Sequence, residues 1–129
     1  NVRQYTWLLL PVNDSMDFES VSTHWSLLIC HVPTFLLFHC DSCGTSNLKS
    51  AKHLIPKVQR LLGKSGSNAE IISVNVPRQE NNYDCGIYTL LFARSFLEIL
   101  REDSMRVNLL SFLIHVLRFG LLKSSPNLL

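Results

Sequence analysis

The stretch Gln79-Glu80-Asn81-Asn82-Tyr83-Asp84-Cys85-Gly86-Ile87-Tyr88, continuing through Thr89 and Leu90 to Leu100, decides how this chain is read. A polar loop ends at Cys85, and the apolar positions Ile87, Leu90, Leu91, Phe96, Leu97 and Leu100 then recur at intervals of three and four, which predicts a helix opening at the cysteine. A thiol at that place meets unpaired backbone N–H groups and the positive end of the helix dipole, both of which favour the thiolate. Gly86 leaves the helix start uncrowded for a substrate carbonyl. Gln79, in the same loop, carries an amide donor suited to a developing oxyanion beside the Cys85 N–H.

A thiolate nucleophile needs a base, and a base needs an orienting group. Working back along the chain, Tyr5 to Val12 predicts a buried strand ended near Pro11, followed by a polar loop over Asn13 to Ser22. A second strand begins at His24 and runs to His31, with Trp25, Leu27 and Ile29 on one face and Ser26, Leu28 and Cys30 on the other. Thr34 to Cys40 predicts a third strand, hairpinned with the second, and Asp41 falls where it ends. Adjacent strands therefore carry His24 and Asp41 toward one another, imidazole base beside carboxylate orienter.

Leu48 to Leu62 has a helical apolar stripe, with Ser46 or Asn47 as its cap and Gly63 beyond its end. Pro56 lacks a backbone donor in the middle of that helix, so a kink, or a new helix starting at the proline, is expected there. Glu70 to Val76 predicts a fourth strand stopped by Pro77. Within Val107 to Leu122 the polar residues Asn108, Ser111, His115 and Arg118 form a narrow stripe on an otherwise apolar helix, too interrupted for a transmembrane span.

Composition narrows the classes. The chain has 129 residues, 47% of them hydrophobic and 17% charged, with 12 basic against 10 acidic side chains. That is one domain or a piece of one, and it is too apolar for a disordered tail. A net charge of +2 with no long basic run gives no surface for neutralising phosphates, so nucleic acid is not an expected partner. Four irregularly spaced cysteines are no disulfide scaffold, and a reducing compartment is the simpler setting. The chain begins with Asn and shows no signal-peptide pattern, and its true beginning is expected to lie further upstream.

The segments Leu8 to Asp14 (Leu-Leu-Leu-Pro-Val-Asn-Asp), Thr23 to Leu28 (Thr-His-Trp-Ser-Leu-Leu), His39 to Ser42, Ser46 to Lys52 and Gln79 to Tyr88 together resemble the sentrin/SUMO-specific protease family of cysteine peptidases, most of all its deneddylating type. The resemblance covers roughly residues 5–100. It implies an α+β fold, the papain-like cysteine protease core of the ubiquitin-like-protease type, with a mixed central sheet of short strands and the catalytic Cys at a helix N-terminus. By resemblance Cys85 is the nucleophile, His24 the general base, Asp41 its orienter and Gln79 the oxyanion donor. Trp25 then helps form the narrow tunnel that admits only glycines, and Gly86 belongs with the substrate-binding residues. The implied reaction is hydrolysis after a C-terminal Gly-Gly of a ubiquitin-like modifier, in precursor processing or in removal from target lysines, without metal or other cofactor. The implied partners are the modifier and its conjugates, and the implied location is cytoplasm or nucleus.

On this reading residues 1–129 are a single partial catalytic domain, with its front absent and 101–129 a divergent apolar helical tail. Two other readings stay open. An inactive relative would bind a ubiquitin-like modifier or a partner without cleaving it. A small zinc module would draw on Cys30, His31, His39, Cys40 and Cys43, although strand alternation sends neighbouring residues to opposite faces.

Overall fold

The computed structural model describes residues 1–15 and 21–102. After a short 3-10 turn at Val2–Gln4 come β1 (Trp7–Asn13), β2 (Trp25–His31), β3 (Leu36–Cys40), α1 (Leu48–Leu62), β4 (Glu70–Val74) and α2 (Cys85–Glu102). The sheet order is β1-β2-β3-β4. The first three strands pair antiparallel and β4 joins β3 in parallel, with α1 as the crossover. The sheet is therefore mixed and the fold α+β. The predicted helix over Val107 to Leu122 lies outside the described residues.

Alternation along β2 decides the layering. Leu28 and Cys30 pack with Val12, Leu37, Ala51, Val58 and Leu62 on the α1 side. Leu27 and Ile29 pack with Phe38, Cys40, Phe92, Phe96 and Ile99 on the α2 side. Both faces of the sheet are covered, which is why β2 reads as a nearly continuous apolar run. β1 lies at the edge, where the exposed Pro11 needs no ladder donor.

The structure sharpens the expectation for both helices. One helix passes through Pro56, so no new helix begins there. The proline is exposed, and so is Lys52 one turn before it, so the carbonyl that lacks a Pro56 donor lies on the solvent side. Gly63 ends α1 in the left-handed conformation at φ 67°, donating its N–H to Arg60. In α2 the inward residues are Cys85, Thr89, Phe92, Phe96 and Ile99, whereas Ile87, Leu90 and Leu97 of the predicted apolar set are exposed. Burying each large inward side chain contributes roughly 1.5–3 kcal/mol. The exposed Arg94–Glu98 pair, spaced i to i+4, contributes about 0.3–0.5 kcal/mol. Packing therefore sets the rotation of α2 about its axis, and the apolar spacing alone does not.

Candidate active site

The site forms where the ends of β2 and β3 meet the N-termini of both helices. His24 precedes β2 and is held by a residue to which the sequence reading gave no site role. Asp14, just beyond β1, accepts the backbone N–H groups of Thr23 at 2.7 Å and His24 at 3.0 Å, together with the hydroxyls of Ser22 and Thr23. Its own N–H donates to the His24 carbonyl at 3.2 Å. Partial burial works against the Asp14 carboxylate, but the Thr23 hydroxyl and these backbone donors outweigh it and hold its pKa well below the usual range. The turn into His24 is thereby tied to the end of β1.

Asp41 follows β3 and is only 2% exposed. Its Oδ1 meets His24 Nε2 at 2.6 Å and accepts the Cys43 N–H at 2.8 Å, while Oδ2 accepts the Asn47 N–H at 2.9 Å. A carboxylate so surrounded by donors acts as acceptor toward the ring, so Nε2 carries the proton and Nδ1 presents a lone pair on the opposite side. The Asp41 charge also faces the N-terminal end of α1.

Asn47 caps α1 by position but makes no side-chain cap bond. Its amide turns inward instead, donating to the Val12 carbonyl at 3.0 Å and to Ser26 Oγ at 2.9 Å. Ser26 also pairs with His39 Nε2 at 3.0 Å. Accepting from Asn47 leaves the serine proton for His39 Nε2, which puts the ring proton of a neutral His39 on Nδ1. Burial lowers the His39 pKa, against the pull of Asp41, in keeping with the neutral ring. His39 Nδ1 and Asn47 Oδ1 are both buried without a partner, one a donor and the other an acceptor. Beneath the His24–Asp41 pair, this polar network links β1, β2, β3 and α1.

Cys85 is the first residue of α2 and is 6% exposed. The loop before it is built by Asn81, whose side-chain carbonyl accepts the N–H groups of Tyr83 and Asp84 and whose amide donates to Asp84 Oδ2 at 2.7 Å. Gln79 fastens the same loop to the turn after Asp41. Its backbone N–H donates to the Ser42 carbonyl at 3.1 Å, its Oε1 accepts the Ser42 hydroxyl at 2.6 Å, and its Nε2 donates one proton to the Asn81 carbonyl. The second amide proton of Gln79 remains for another acceptor. A side chain added at Gly86 would meet nothing within 4 Å, so the space beside Cys85 is open. Trp25 stands at the start of β2 and is 39% exposed.

Cys43 is a further residue that sequence reasoning did not place here. One atom each of His24, Asp41 and Cys43 lie within 4.8 Å of one another, the one such group among the described residues. Burial raises the Cys43 pKa, and the charges of Asp41 and Cys85 raise it further against the opposing Arg78 guanidinium. Arg78 lies against Gly44, where a β-carbon would overlap the guanidinium. The other residues of the zinc reading are scattered. Cys30 and Cys40 point to opposite sides of the sheet, with burial raising their pKa values to about 11 and about 12. His31 pairs with Thr34 at 2.7 Å and His39 with Ser26, so the five do not converge on an ion.

A mixed sheet between two helices, with a thiol at one helix N-terminus and an imidazole–carboxylate pair on neighbouring strand ends, is the arrangement of a cysteine peptidase catalytic domain. Residues 4–118 match the model of the Ulp1 protease family, C-terminal catalytic domain, and the chain belongs to that family. Human sentrin-specific protease 8 is 35% identical over 83 residues, 64% of this chain and 39% of that protein. NEDD8-specific protease 1 of Arabidopsis thaliana is 32% identical over 108 residues, 82% of this chain and 47% of that protein. The catalytic domain of the Chaetomium thermophilum Ulp1-like SUMO protease superposes with a TM-score of 0.50 at 26% identity, over 70% of this chain and 34% of that one. The chain thus spans less than half the length of the curated relatives it matches.

Proposed function

We propose that this chain is the catalytic portion of a thiol peptidase that cleaves after the C-terminal Gly-Gly of a ubiquitin-like modifier of the NEDD8 or SUMO type, in precursor maturation or in release from target lysines. The observation that carries this reading is the 2.6 Å contact between His24 Nε2 and Asp41 Oδ1, with Gln79 and Ser42 tying the turn after Asp41 to the loop that leads into Cys85. Cys85 gives its proton to His24 Nδ1, and the thiolate attacks the glycine carbonyl. Asp41 holds the imidazole in the accepting tautomer and then faces the imidazolium. The backbone N–H of Cys85 and the uncommitted amide proton of Gln79 receive the oxyanion. His24 returns the proton to the leaving amine, and water activated by the same ring clears the thioester. The narrow Gly-Gly tail passes beside Trp25 and the open space at Gly86.

The names of the relatives, sentrin-specific and NEDD8-specific, support the substrate class. No helix among the described residues is long and apolar enough to cross a membrane. A nucleophile that must remain a free thiol suits the cytoplasm or nucleus. The test is reaction with a ubiquitin-like modifier bearing a C-terminal electrophile. A covalent adduct at Cys85 is expected, absent in Cys85→Ala and strongly slowed in His24→Ala. Labelling at Cys30, Cys40 or Cys43 instead would overturn the assignment, and binding without labelling would identify an inactive modifier-binding relative.

A further inference from the structure

We propose that Cys43 turns the His24–Asp41 pair into a binding site for a thiophilic divalent metal ion, zinc by availability, and that occupancy of this site switches the peptidase off. The inhibitory half of this inference rests on the peptidase reading above; the binding half does not.

The donor set is a nitrogen, a carboxylate oxygen and a sulfur, a combination that favours zinc over calcium or magnesium. Their mutual separations, up to 4.8 Å, bracket the donor–donor edges of about 3.4–3.6 Å in a tetrahedral zinc site. Closing the site requires His24 and Asp41 to part from 2.6 Å by somewhat under an ångström and the Cys43 side chain to turn inward. Cys43 sits on the turn after Asp41 and is half-buried. The supporting shell is already built, since the N–H groups of Cys43 and Asn47 hold both Asp41 oxygens. The more deeply buried Cys30 and Cys40 face opposite sides of the sheet and offer no competing pair.

The proton accounting gives the mechanism. The metal takes the Nε2 lone pair, so the ring proton moves to Nδ1, and the Cys43 thiol releases one proton to solvent. Nδ1 then bears a hydrogen and cannot accept one from Cys85, so occupancy removes the general base without touching the nucleophile. Three protein donors leave a fourth position for water. One proton released per ion makes binding tighten as pH rises.

Cobalt(II) is the probe, added to the full chain carrying Cys85→Ala so that the proposed nucleophile cannot serve as a ligand. One equivalent is expected to bind with a thiolate-to-cobalt charge-transfer band that zinc displaces. Adding Cys43→Ser is expected to remove the band and weaken cobalt binding by at least about tenfold. Adding Cys43→His, which restores a donor, is expected to keep one-to-one binding without the band. A band that survives Cys43→Ser, or no band in Cys85→Ala alone, overturns the site. In the wild-type chain zinc is expected to slow labelling by the electrophilic modifier. Labelling that proceeds unchanged at saturating zinc overturns the switch, whereas a chain that shows the cobalt band but is never labelled overturns the peptidase reading and leaves the site standing.

Discussion

The N-termini of α1 and α2 face the same site but hold their groups by different means. At α1 the charge belongs to Asp41, which lies before the helix, is buried, and has each oxygen accepting a backbone N–H from the 43–47 turn. At α2 the proposed nucleophile is the side chain of the first helical residue, Cys85, with open space beside Gly86. The first end is satisfied by the protein itself, whereas the second leaves room for a partner. An orienting carboxylate needs fixed geometry, and a nucleophile needs access, so the same helix-end electrostatics serve opposite requirements.

The sharpest way to break this comparison is Asp41→Asn, which removes the charge, sets an amide NH2 in place of one of the two oxygens that accept backbone N–H groups, and invites the wrong imidazole tautomer. Adduct formation with the electrophilic modifier is expected to slow by about three to four orders of magnitude, with folding retained. A loss below about tenfold would mean that Asp41 serves structure alone. Next in size is Asn47→Ala, which strips the donors from the Val12 carbonyl and Ser26. A loss of about 1–3 kcal/mol is expected, read as a shift of the urea midpoint at unchanged slope.

A third prediction concerns pH. The folded pKa of His39 is lowered by burial, so below the unfolded value of about 6.5 the unfolded chain binds a proton that the folded chain refuses. Stability from this group is complete above that value and is lost as pH falls toward the folded pKa, with a slope of at most about 1.4 kcal/mol per pH unit. His39→Gln is expected to flatten that part of the wild-type curve, and an unchanged slope between pH 6.5 and 5 would assign the dependence elsewhere. The smallest effect is expected at Leu90→Gln on the outer face of α2. That side chain is 71% exposed, and thermal denaturation should register a change within about 0.5 kcal/mol. A larger loss would show that this face is covered.

Much of the site was legible because its parts are local signals. Cys85 at a helix start, His24 at a strand start and Asp41 at a strand end can each be placed from spacing, and the hairpin between β2 and β3 brings the last two together. Asp14, Asn47 and Cys43 were not legible as site residues. Asp14 looked like part of a polar loop, Asn47 like a helix cap, and Cys43 like one donor of the zinc module. What each does depends on partners far along the chain, such as Asn47 reaching back to Val12.

By itself the sequence determined the periodicities, and hence the alternating strands, the two amphipathic stretches and the order in which the imidazole, carboxylate and thiol of the candidate site occur. These follow from side-chain repeat lengths of about two and 3.6 residues, which act within a few neighbours. Tertiary packing decided which of two apolar stripes on α2 turns inward, how α1 continues through Pro56, and that the Asn47 amide serves the sheet instead of its own helix. Those outcomes rest on contacts whose energies exceed local preference, a buried Phe96 outweighing an exposed Leu90 and a buried carbonyl claiming the Asn47 side chain while the N–H groups of the helix N-terminus can find their acceptor in water.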